Sequence, residues 1–259
     1  MLRFGKDISL EQIINDFDAV YISVGANEPN NTLNKTTENT SKNGKNSGIK
    51  KVLSGNKLLE EINIEKQENS LDIKYKEIFE GKNVAVNGGG NVAMDVSRTL
   101  KRLGANVTII YRRSLNEMPA AVDEIEEAKK ENIEFLFQNN IVSYNETNGE
   151  MELIKTELIK KENEQRLTPI NIENTNYKRQ FDYCILATGS KPSKEFSSIL
   201  KKSDIETDEK GYIKVNENYQ TSNQKVFAGG DIIKSKQTVA NASYDGREAA
   251  KKIIKACYI

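Results

Sequence analysis

A strand, a glycine loop and a helix follow one another between Asn83 and Leu103, and this unit constrains the fold of the 259-residue chain more than any other feature. The short apolar strand Asn83 to Asn87 leads into three consecutive glycines, and residues 91 to 103 then place apolar side chains at helical spacing. A second apolar strand, Val107 to Tyr111, comes next. A strand, a helix and a second strand in this order predict a Rossmann-like parallel sheet in an α/β fold.

The glycine loop satisfies the pattern G-x-G-x-x-A, which is typical of dinucleotide-binding loops that follow a strand and open a helix. In that role Gly88 allows the tight turn, Gly90 lets a pyrophosphate approach the backbone, and Ala93 lets the helix pack closely on the strand. Free amides at the start of the helix then meet the phosphate anion. The predicted binding residues are Gly88, Gly89, Gly90, Asn91, Val92 and Ala93. An ordinary glycine-rich strand–helix turn is the alternative explanation.

Two arginines, Arg112 and Arg113, directly follow the second strand. NAD-specific sites commonly carry Asp or Glu here, which accepts a hydrogen bond from the ribose 2′-hydroxyl. A guanidinium instead forms paired, charge-assisted hydrogen bonds with a 2′-phosphate. The pair therefore favours NADPH over NADH, unless both arginines are simply solvated on a loop.

A second glycine turn follows the apolar strand Val226 to Ala228 and presents one acid, Asp231. In a flavin site such a carboxylate accepts hydrogen bonds from ribityl or ribose hydroxyls, and the glycines let the backbone approach the cofactor. The last predicted helix opens at Thr238 and Val239, and its N-terminal dipole would stabilise negative charge on a reduced flavin. A strand–turn–helix in which Asp231 only caps the helix is the alternative.

The chain has no His and only two cysteines, Cys184 and Cys257, which lie far apart in the sequence. This excludes imidazole acid–base chemistry, His-ligated metals, a CxxC redox pair and a self-contained iron–sulfur cluster. Redox chemistry would need a bound organic cofactor or a partner chain.

The 38 basic and 38 acidic residues balance, so neither nucleic acid nor a membrane is expected as a partner. No long apolar run begins at Met1, so a cytoplasmic protein is expected.

The stretch Phe17 to Ala26 echoes Phe181 to Ser190, with Phe, Asp and Gly at the same places and apolar residues between them. We interpret both stretches as buried strands that end at a glycine, each a late strand of one dinucleotide-binding module. Ten residues are a short basis for a repeat, so a chance likeness between two buried strands stays open.

Taken in order, these motifs resemble those of the NADPH-dependent, FAD-containing oxidoreductases of the glutamate synthase small (beta) subunit type, and they are similar to the electron-input half of dihydropyrimidine dehydrogenase. The resemblance is carried by Gly5 to Ala26, Gly81 to Ala120, Asp182 to Pro192 and Val226 to Ala250. It implies a flavoprotein in which hydride passes from NADPH to FAD and electrons leave through iron–sulfur centres of a partner. It also implies that FAD is lined by Gly230, Asp231, Thr238 and Val239, and that the domain junction contains Ala187, Thr188 and Gly189.

One part of the family pattern is missing, namely the second G-x-G-x-x-G loop, which holds FAD after an N-terminal strand. The two similar stretches lead to the same conclusion, because the stretch at Phe181 has a glycine loop upstream and the stretch at Phe17 has none. We therefore expect an N-terminally truncated or split protein with an incomplete FAD site. A second chain or a missing N-terminal part would carry the FAD glycine loop and the iron–sulfur clusters.

The predicted fold is an α/β protein in which a Rossmann-like NADPH-binding domain is inserted in an incomplete FAD-binding α/β domain. The predicted domains are residues 1–80, a partial FAD-domain segment with a low-complexity loop at 29–47; residues 81–190, the NADPH domain with a small antiparallel meander from Phe135 to Ile172; and residues 191–259, the C-terminal part of the FAD domain. Val52 to Ile62 is expected to form a short helix.

The main functional hypothesis is an NADPH-dependent flavin oxidoreductase, or a subunit or fragment of one. The alternative is a catalytically silent NADPH-binding fragment or sensor module without FAD, which the missing loop supports. A thioredoxin-reductase-like disulfide enzyme would need a CxxC pair, and a simple dehydrogenase would need a positioned acid or base that the sequence does not offer. No residue is therefore assigned a catalytic or metal-binding role.

Overall fold

A computed structural model describes residues 5–30, 33, 36–37, 51–66, 71–162, 166–235 and 237–258. The chain divides into two compact units. We call Met1–Glu28 with Ser190–Ile259 the terminal unit, and Pro29–Gly189 the central unit. The domain boundaries expected from the sequence lie after residues 80 and 190, so the described residues between 29 and 80 fall in a different unit from the one expected.

The strands are β1 Val20–Ile22, β2 Glu28–Pro29, β3 Thr36–Thr37, β4 Val52–Ser54, β5 Asn83–Asn87, β6 Asn106–Tyr111, β7 Glu134–Phe137, β8 Asn139–Asn145, β9 Glu150–Ile159, β10 Thr168–Asn171, β11 Tyr177–Gln180, β12 Tyr183–Leu186, β13 Ser190–Lys191 and β14 Val226–Ala228. The helices are α1 Leu10–Asp16, α2 Gly55–Lys66, α3 Leu71–Phe79, α4 Asn91–Arg102, α5 Val122–Lys130, α6 Lys194–Lys202 and α7 Val239–Tyr258. Short 3₁₀ helices occupy Leu115–Glu117 and Gly230–Ile233.

The central unit is built on a five-stranded parallel sheet with the order β4-β12-β5-β6-β7. Alternate side chains of each strand point to opposite faces of the sheet. In β5, Val84 and Val86 join one hydrophobic cluster and Ala85 joins another. In β6 the same alternation separates Ile109 from Ile110. Since both faces are covered, the strands are nearly continuous apolar runs, as buried parallel strands are expected to be.

Helix α4 covers one face of this sheet together with α2 and α5. Its side chains Ala93, Val96 and Leu100 recur at intervals of three and four residues and are fully buried. On the flank of the helix, Arg98 forms ion pairs with Glu124 at 2.5 Å and with Glu131 at 3.0 Å. The predicted strand–loop–helix–strand unit is thus confirmed, with α4 as the crossover between β5 and β6.

A mostly antiparallel sheet covers the other face, with the order β10-β9-β8-β3 and with β11 also paired to β9. Only the pairing of β3 with β8 is parallel among the described strands of this sheet. The predicted meander is confirmed, but its predicted start is wrong. Phe135 belongs to β7, which pairs with β6 at the edge of the parallel sheet. Val52 is also not helical, because it begins β4, and α2 starts only at Gly55. Most of the loop predicted at 29–47 lies outside the described residues.

The terminal unit contains a two-stranded parallel sheet of β1 and β14. Its hydrophobic cluster combines Leu10 of α1, Ile22 of β1, Leu200 of α6 and Val226 of β14. The strand predicted to begin at Phe17 is shorter than expected, because Phe17 is the C-cap residue of α1 and is 60% exposed, and β1 begins only at Val20. None of the helices in the described part of the chain has the length and the apolar character that a membrane span requires.

Candidate functional site

The glycine loop of the central unit is shaped by the packing of the protein itself. Gly88 has a φ of +150°, and a Cβ added there would lie 2.2 Å from the carbonyl oxygen of Ala187. A Cβ added at Gly89 would lie 2.7 Å from the ring of Tyr111. No side chain fits at such distances, so both positions require glycine for structural reasons.

The start of α4, just beyond these glycines, faces open space. A Cβ added at Gly90 would have one atom of the described residues within 4 Å, at 3.8 Å. The amide of Ala93 donates to the carbonyl oxygen of Gly90 at 2.9 Å. The amides of Asn91 and Val92, by contrast, have no acceptor in the described part of the chain. Two free amides at a helix N-terminus favour an anion.

The side chains of this segment serve packing rather than ligand contact. The Oδ1 of Asn91 accepts a hydrogen bond from the amide of Ala121 at 2.9 Å and so holds the loop that precedes α5. Val92 packs against the hydrophobic cluster, and Ala93 is fully buried within it. What the loop offers a ligand is therefore backbone.

Three arginines converge at the carboxyl end of β6. Arg112 and Arg113 follow the strand, and Arg166 reaches the same place from the connection that precedes β10. The Nε of Arg113 donates to the carbonyl oxygen of Leu167 at 3.0 Å, and Arg166 donates to the hydroxyl of Tyr111 at 3.3 Å. Burial lowers the pKa of Arg112, and repulsion from Arg113 and Arg166 lowers it further. Arg113 and Arg166 thus both lie close enough to Arg112 to repel its charge.

No carboxylate among the described residues compensates this cluster. The other described arginines each form an ion pair with a glutamate, namely Arg98, Arg102, Arg179 and Arg247. Arg112, Arg113 and Arg166 form no ion pair with any described residue. The ring of Tyr111 lies against Gly89 while its hydroxyl contacts Arg166, so the cluster and the glycine loop share one edge of the sheet. A concentration of unpaired guanidiniums beside free amides is suited to a ligand with several phosphates.

Three more of the predicted residues follow β12 in the central unit. The amide of Ala187 donates to the carbonyl oxygen of Asn87 at 2.9 Å. The hydroxyl of Thr188 donates to the carbonyl oxygen of Asn30 at 3.0 Å. Gly189 has a φ of +88°, and the chain enters the terminal unit directly after it. The structure thus brings this segment next to the glycine loop, at the carboxyl ends of the strands.

The second glycine turn, in the terminal unit, is held by the protein's own groups. Gly230 has a φ of +75°, and its amide donates to the buried carboxylate of Asp245 at 3.0 Å. The hydroxyl of Tyr219 donates to the other oxygen of Asp245 at 3.2 Å. A Cβ added at Gly229 would lie 2.2 Å from the hydroxyl of Tyr21. Asp245 lies on α7, so its carboxylate ties this helix to the turn.

Asp231 is the predicted acid of this turn. Its carboxylate has neither an ion pair nor a hydrogen bond within the described residues, and burial, followed by the nearby Asp245, raises its pKa. Thr238 precedes α7 and accepts a hydrogen bond from the amide of Asn241 at 3.3 Å. Val239, the first residue of α7, is 85% exposed. The four predicted FAD residues all belong to the terminal unit.

Sequence analysis did not identify Arg166, Tyr111 or Asp245. Asp245 has a detectable signal, because it lies four residues before the buried Ala249 and so occupies the buried face of the last helix. Arg166 has none. Its position beside Arg112 depends on how the antiparallel sheet packs on the parallel one.

Metal and thiol chemistry find no support in the described residues. These contain no group of three His, Cys, Asp or Glu side chains that could hold a metal ion. Burial raises the pKa of the Cys184 thiol to about 12, and Cys257 is an exposed free thiol of the other unit.

Comparisons with known proteins agree with this architecture. The glutamate synthase [NADPH] small chain of Escherichia coli is 31% identical over an alignment of 260 positions, which covers 96% of this chain and 52% of the relative. The NADP(+)-dependent formate dehydrogenase subunit beta of Moorella thermoacetica is also 31% identical, over 97% of this chain and 33% of the relative. FprA from Mycobacterium tuberculosis in complex with NADPH has the same fold, with a TM-score of 0.76 at 14% identity over 98% of this chain and 67% of FprA. The chain spans about half the length of the glutamate synthase relatives that it matches.

The match to a family model covers both units. Residues 14–246 match the model described as pyridine nucleotide-disulphide oxidoreductase. The matched stretch contains both glycine turns and the arginine cluster. It also contains the five-stranded parallel sheet, from which the glycine loop after β5 extends. The chain therefore belongs to the pyridine nucleotide-disulphide oxidoreductase family.

Proposed function

We propose that this chain is the NADPH-binding part of a flavin oxidoreductase. The observation that carries the proposal is the cluster of Arg112, Arg113 and Arg166 beside the amides of Asn91 and Val92. Within the part of the chain that the structure describes, these arginines have no carboxylate partner and these amides have no acceptor. NADPH carries a pyrophosphate and a separate 2′-phosphate, so it matches both groups of donors. The name of the Escherichia coli relative, which specifies NADPH, supports the same ligand.

The central unit would bind and orient NADPH. The amides of Asn91 and Val92 would donate to the pyrophosphate, and Gly90 leaves the space for it. Arg112 and Arg113 would bind the 2′-phosphate through charge-assisted hydrogen bonds. Gly88 and Gly89 would act indirectly, by shaping the loop.

The terminal unit would supply part of an FAD site. The carboxylate of Asp231 would accept a hydrogen bond from a cofactor hydroxyl, while Gly230, Thr238 and Val239 would line the cofactor with backbone. FAD held there would supply the redox chemistry, as an acceptor of hydride from NADPH and a donor of electrons to a further centre.

A second chain or a further segment would complete the FAD site and carry the iron–sulfur centres. A partner is supported by the relatives, which are named as a small chain and as a subunit beta. Cytoplasmic location stays a prediction.

Nucleotide titration of the full chain tests the NADPH site. The double variant Arg112→Ala with Arg113→Ala should weaken NADPH binding about a hundredfold, since two charge-assisted hydrogen bonds are lost, and should change NADH binding little. The matched control is Lys101→Ala with Arg102→Ala, which removes two adjacent basic residues at the far end of α4 and should leave both affinities unchanged. A folded wild-type chain that binds no NADPH, or equal losses for NADPH and NADH, would refute the proposal.

Flavin absorbance separates this function from a silent NADPH-binding module. The chain is purified with excess FAD, alone and with candidate partner chains that carry a G-x-G-x-x-G loop. We expect the flavin spectrum to appear with the right partner and to be bleached by NADPH. The silent module is favoured by one observation, the Gly230 amide already bound by Asp245. It becomes the better assignment if NADPH binds but no combination retains FAD.

A further inference from the structure

We propose that Arg166 is a third ligand of the NADPH 2′-phosphate and helps to determine the preference for NADPH over NADH. This inference rests on the proposed function and assigns a role in it to a residue outside the glycine-loop and arginine-pair motifs. The sequence offered Arg112 and Arg113 alone. The structure adds a guanidinium from a different layer of the central unit.

Arg166 is held beside the arginine pair by hydrogen bonds of its own segment. Arg166 donates to the hydroxyl of Tyr111 at 3.3 Å and also to the carbonyl oxygen of Glu117. Tyr111 is the last residue of β6 and directly precedes Arg112. Leu167, the residue after Arg166, accepts the hydrogen bond that Arg113 donates. The segment that carries Arg166 is thus attached to Arg113 directly and to Tyr111, the residue before Arg112.

Charge is the second argument. Arg166 is exposed and has no carboxylate partner among the described residues. An exposed ion pair changes the free energy of folding little, so stability does not forbid such a partner. Repulsion from Arg166 is among the causes that lower the pKa of Arg112. Like charges that no described carboxylate compensates favour the binding of an anion. A phosphate dianion relieves this repulsion, and two guanidiniums leave oxygen atoms for a third donor.

A purely structural role of Arg166 can be tested by removing its charge while keeping its ability to donate hydrogen bonds. Its contact with the carbonyl oxygen of Glu117 is a neutral hydrogen bond that a glutamine amide can also make. A contact with a phosphate dianion needs the positive charge. Arg166→Gln therefore separates the two roles.

The experiment measures binding of 2′,5′-ADP and 5′-AMP to the full chain by calorimetry, because these probes differ only in the 2′-phosphate. Arg166→Ala and Arg166→Gln should both weaken 2′,5′-ADP binding about tenfold or more and leave 5′-AMP binding within about twofold of wild type. Arg102→Ala, which removes an exposed arginine that is paired with Glu131 in the same unit, should change neither affinity. Circular dichroism confirms that each variant is folded.

The outcomes distinguish this inference from the proposed function. If the Arg112 and Arg113 double variant loses the preference for 2′,5′-ADP but Arg166→Gln keeps it, Arg166 only supports the loop and the inference is wrong, while the proposed function stands. If the folded wild-type chain does not prefer 2′,5′-ADP over 5′-AMP, both are wrong. Equal weakening of both probes by Arg166→Ala and by Arg166→Gln would also overturn the inference.

Discussion

A glycine turn follows a parallel strand in each unit, and the two turns differ in what surrounds their backbone amides. After β5, the amides at the start of α4 face open space, and the nearest cations have no carboxylate partner in the described residues. After β14, the amide of Gly230 is taken by Asp245, and Gly229 packs against the hydroxyl of Tyr21. The first turn belongs to a five-stranded sheet and the second to a two-stranded sheet.

This difference shows that glycines in a turn do not by themselves identify a ligand site. In the central unit, Gly88 and Gly89 are required by neighbouring protein atoms, and only Gly90 leaves space for a ligand. In the terminal unit both glycines have protein neighbours, and Asp231 is the side chain of this turn that we propose for ligand contact. We therefore expect the central unit to carry the nucleotide affinity, and the comparison can be tested turn by turn.

The largest effect on folding should come from Gly88→Ala. The new Cβ would lie 2.2 Å from the backbone carbonyl of Ala187, at a φ of +150° that side chains rarely adopt. Backbone cannot move aside as a side-chain tip can, so we expect a loss of about 3 kcal/mol or more in the free energy of unfolding. Urea denaturation followed by circular dichroism measures this loss.

Gly90→Ala is the matched control within the same loop. Its Cβ would have no described atom closer than 3.8 Å, so the free energy of unfolding should stay within about 1 kcal/mol of wild type. NADPH affinity should nevertheless fall, because the methyl group occupies the space proposed for the pyrophosphate. Equal destabilisation by the two substitutions would contradict the division between structural and ligand-binding glycines.

In the terminal unit, the comparable test is Asp245→Ala. The amide of Gly230 and the hydroxyl of Tyr219 would lose their common acceptor, which we expect to destabilise this unit by about 2 kcal/mol. Hydrogen exchange measured by mass spectrometry should quicken at residues 226–233 and stay unchanged at residues 83–103. Asp245→Asn keeps one acceptor oxygen and should recover part of the loss. Equal quickening in both segments would show that Asp245 does not act locally.

The first turn could be predicted from sequence because everything that defines it is local. The strand, the three glycines and the apolar spacing of α4 occur within a single stretch of chain, and Arg112 and Arg113 follow one strand later. Each local preference agrees with the final fold, so the strand–helix–strand prediction was confirmed. The confirmed antiparallel layer likewise follows from the alternation within β8 and β9.

The errors fall where distant partners decide the structure. Phe135 alternates like a residue of the antiparallel layer, yet its strand pairs with β6 in the parallel sheet. Val52 begins a strand of three residues, which is too short to show a period of two and is fixed only by pairing with β12. Arg166 approaches the arginine pair only after the two sheets pack together. No local pattern contains that information.

The smallest expected effect in this comparison is a difference in stability at alkaline pH. Burial, followed by the nearby charge of Asp245 and a hydrogen bond to it, raises the pKa of Tyr219 from 10.0 to about 12. Between these pH values Tyr219 keeps its proton in the folded chain but has lost it in the unfolded chain. The contribution of Tyr219 to the free energy of unfolding is therefore fully present below pH 10 and falls as the pH rises towards 12. Tyr219→Phe has no such proton. Its unfolding free energy should therefore fall less steeply across this window, by about 1 kcal/mol after allowance for solvent screening. Urea denaturation at several pH values measures both slopes, and parallel slopes would show that Asp245 does not hold the Tyr219 proton in the folded turn.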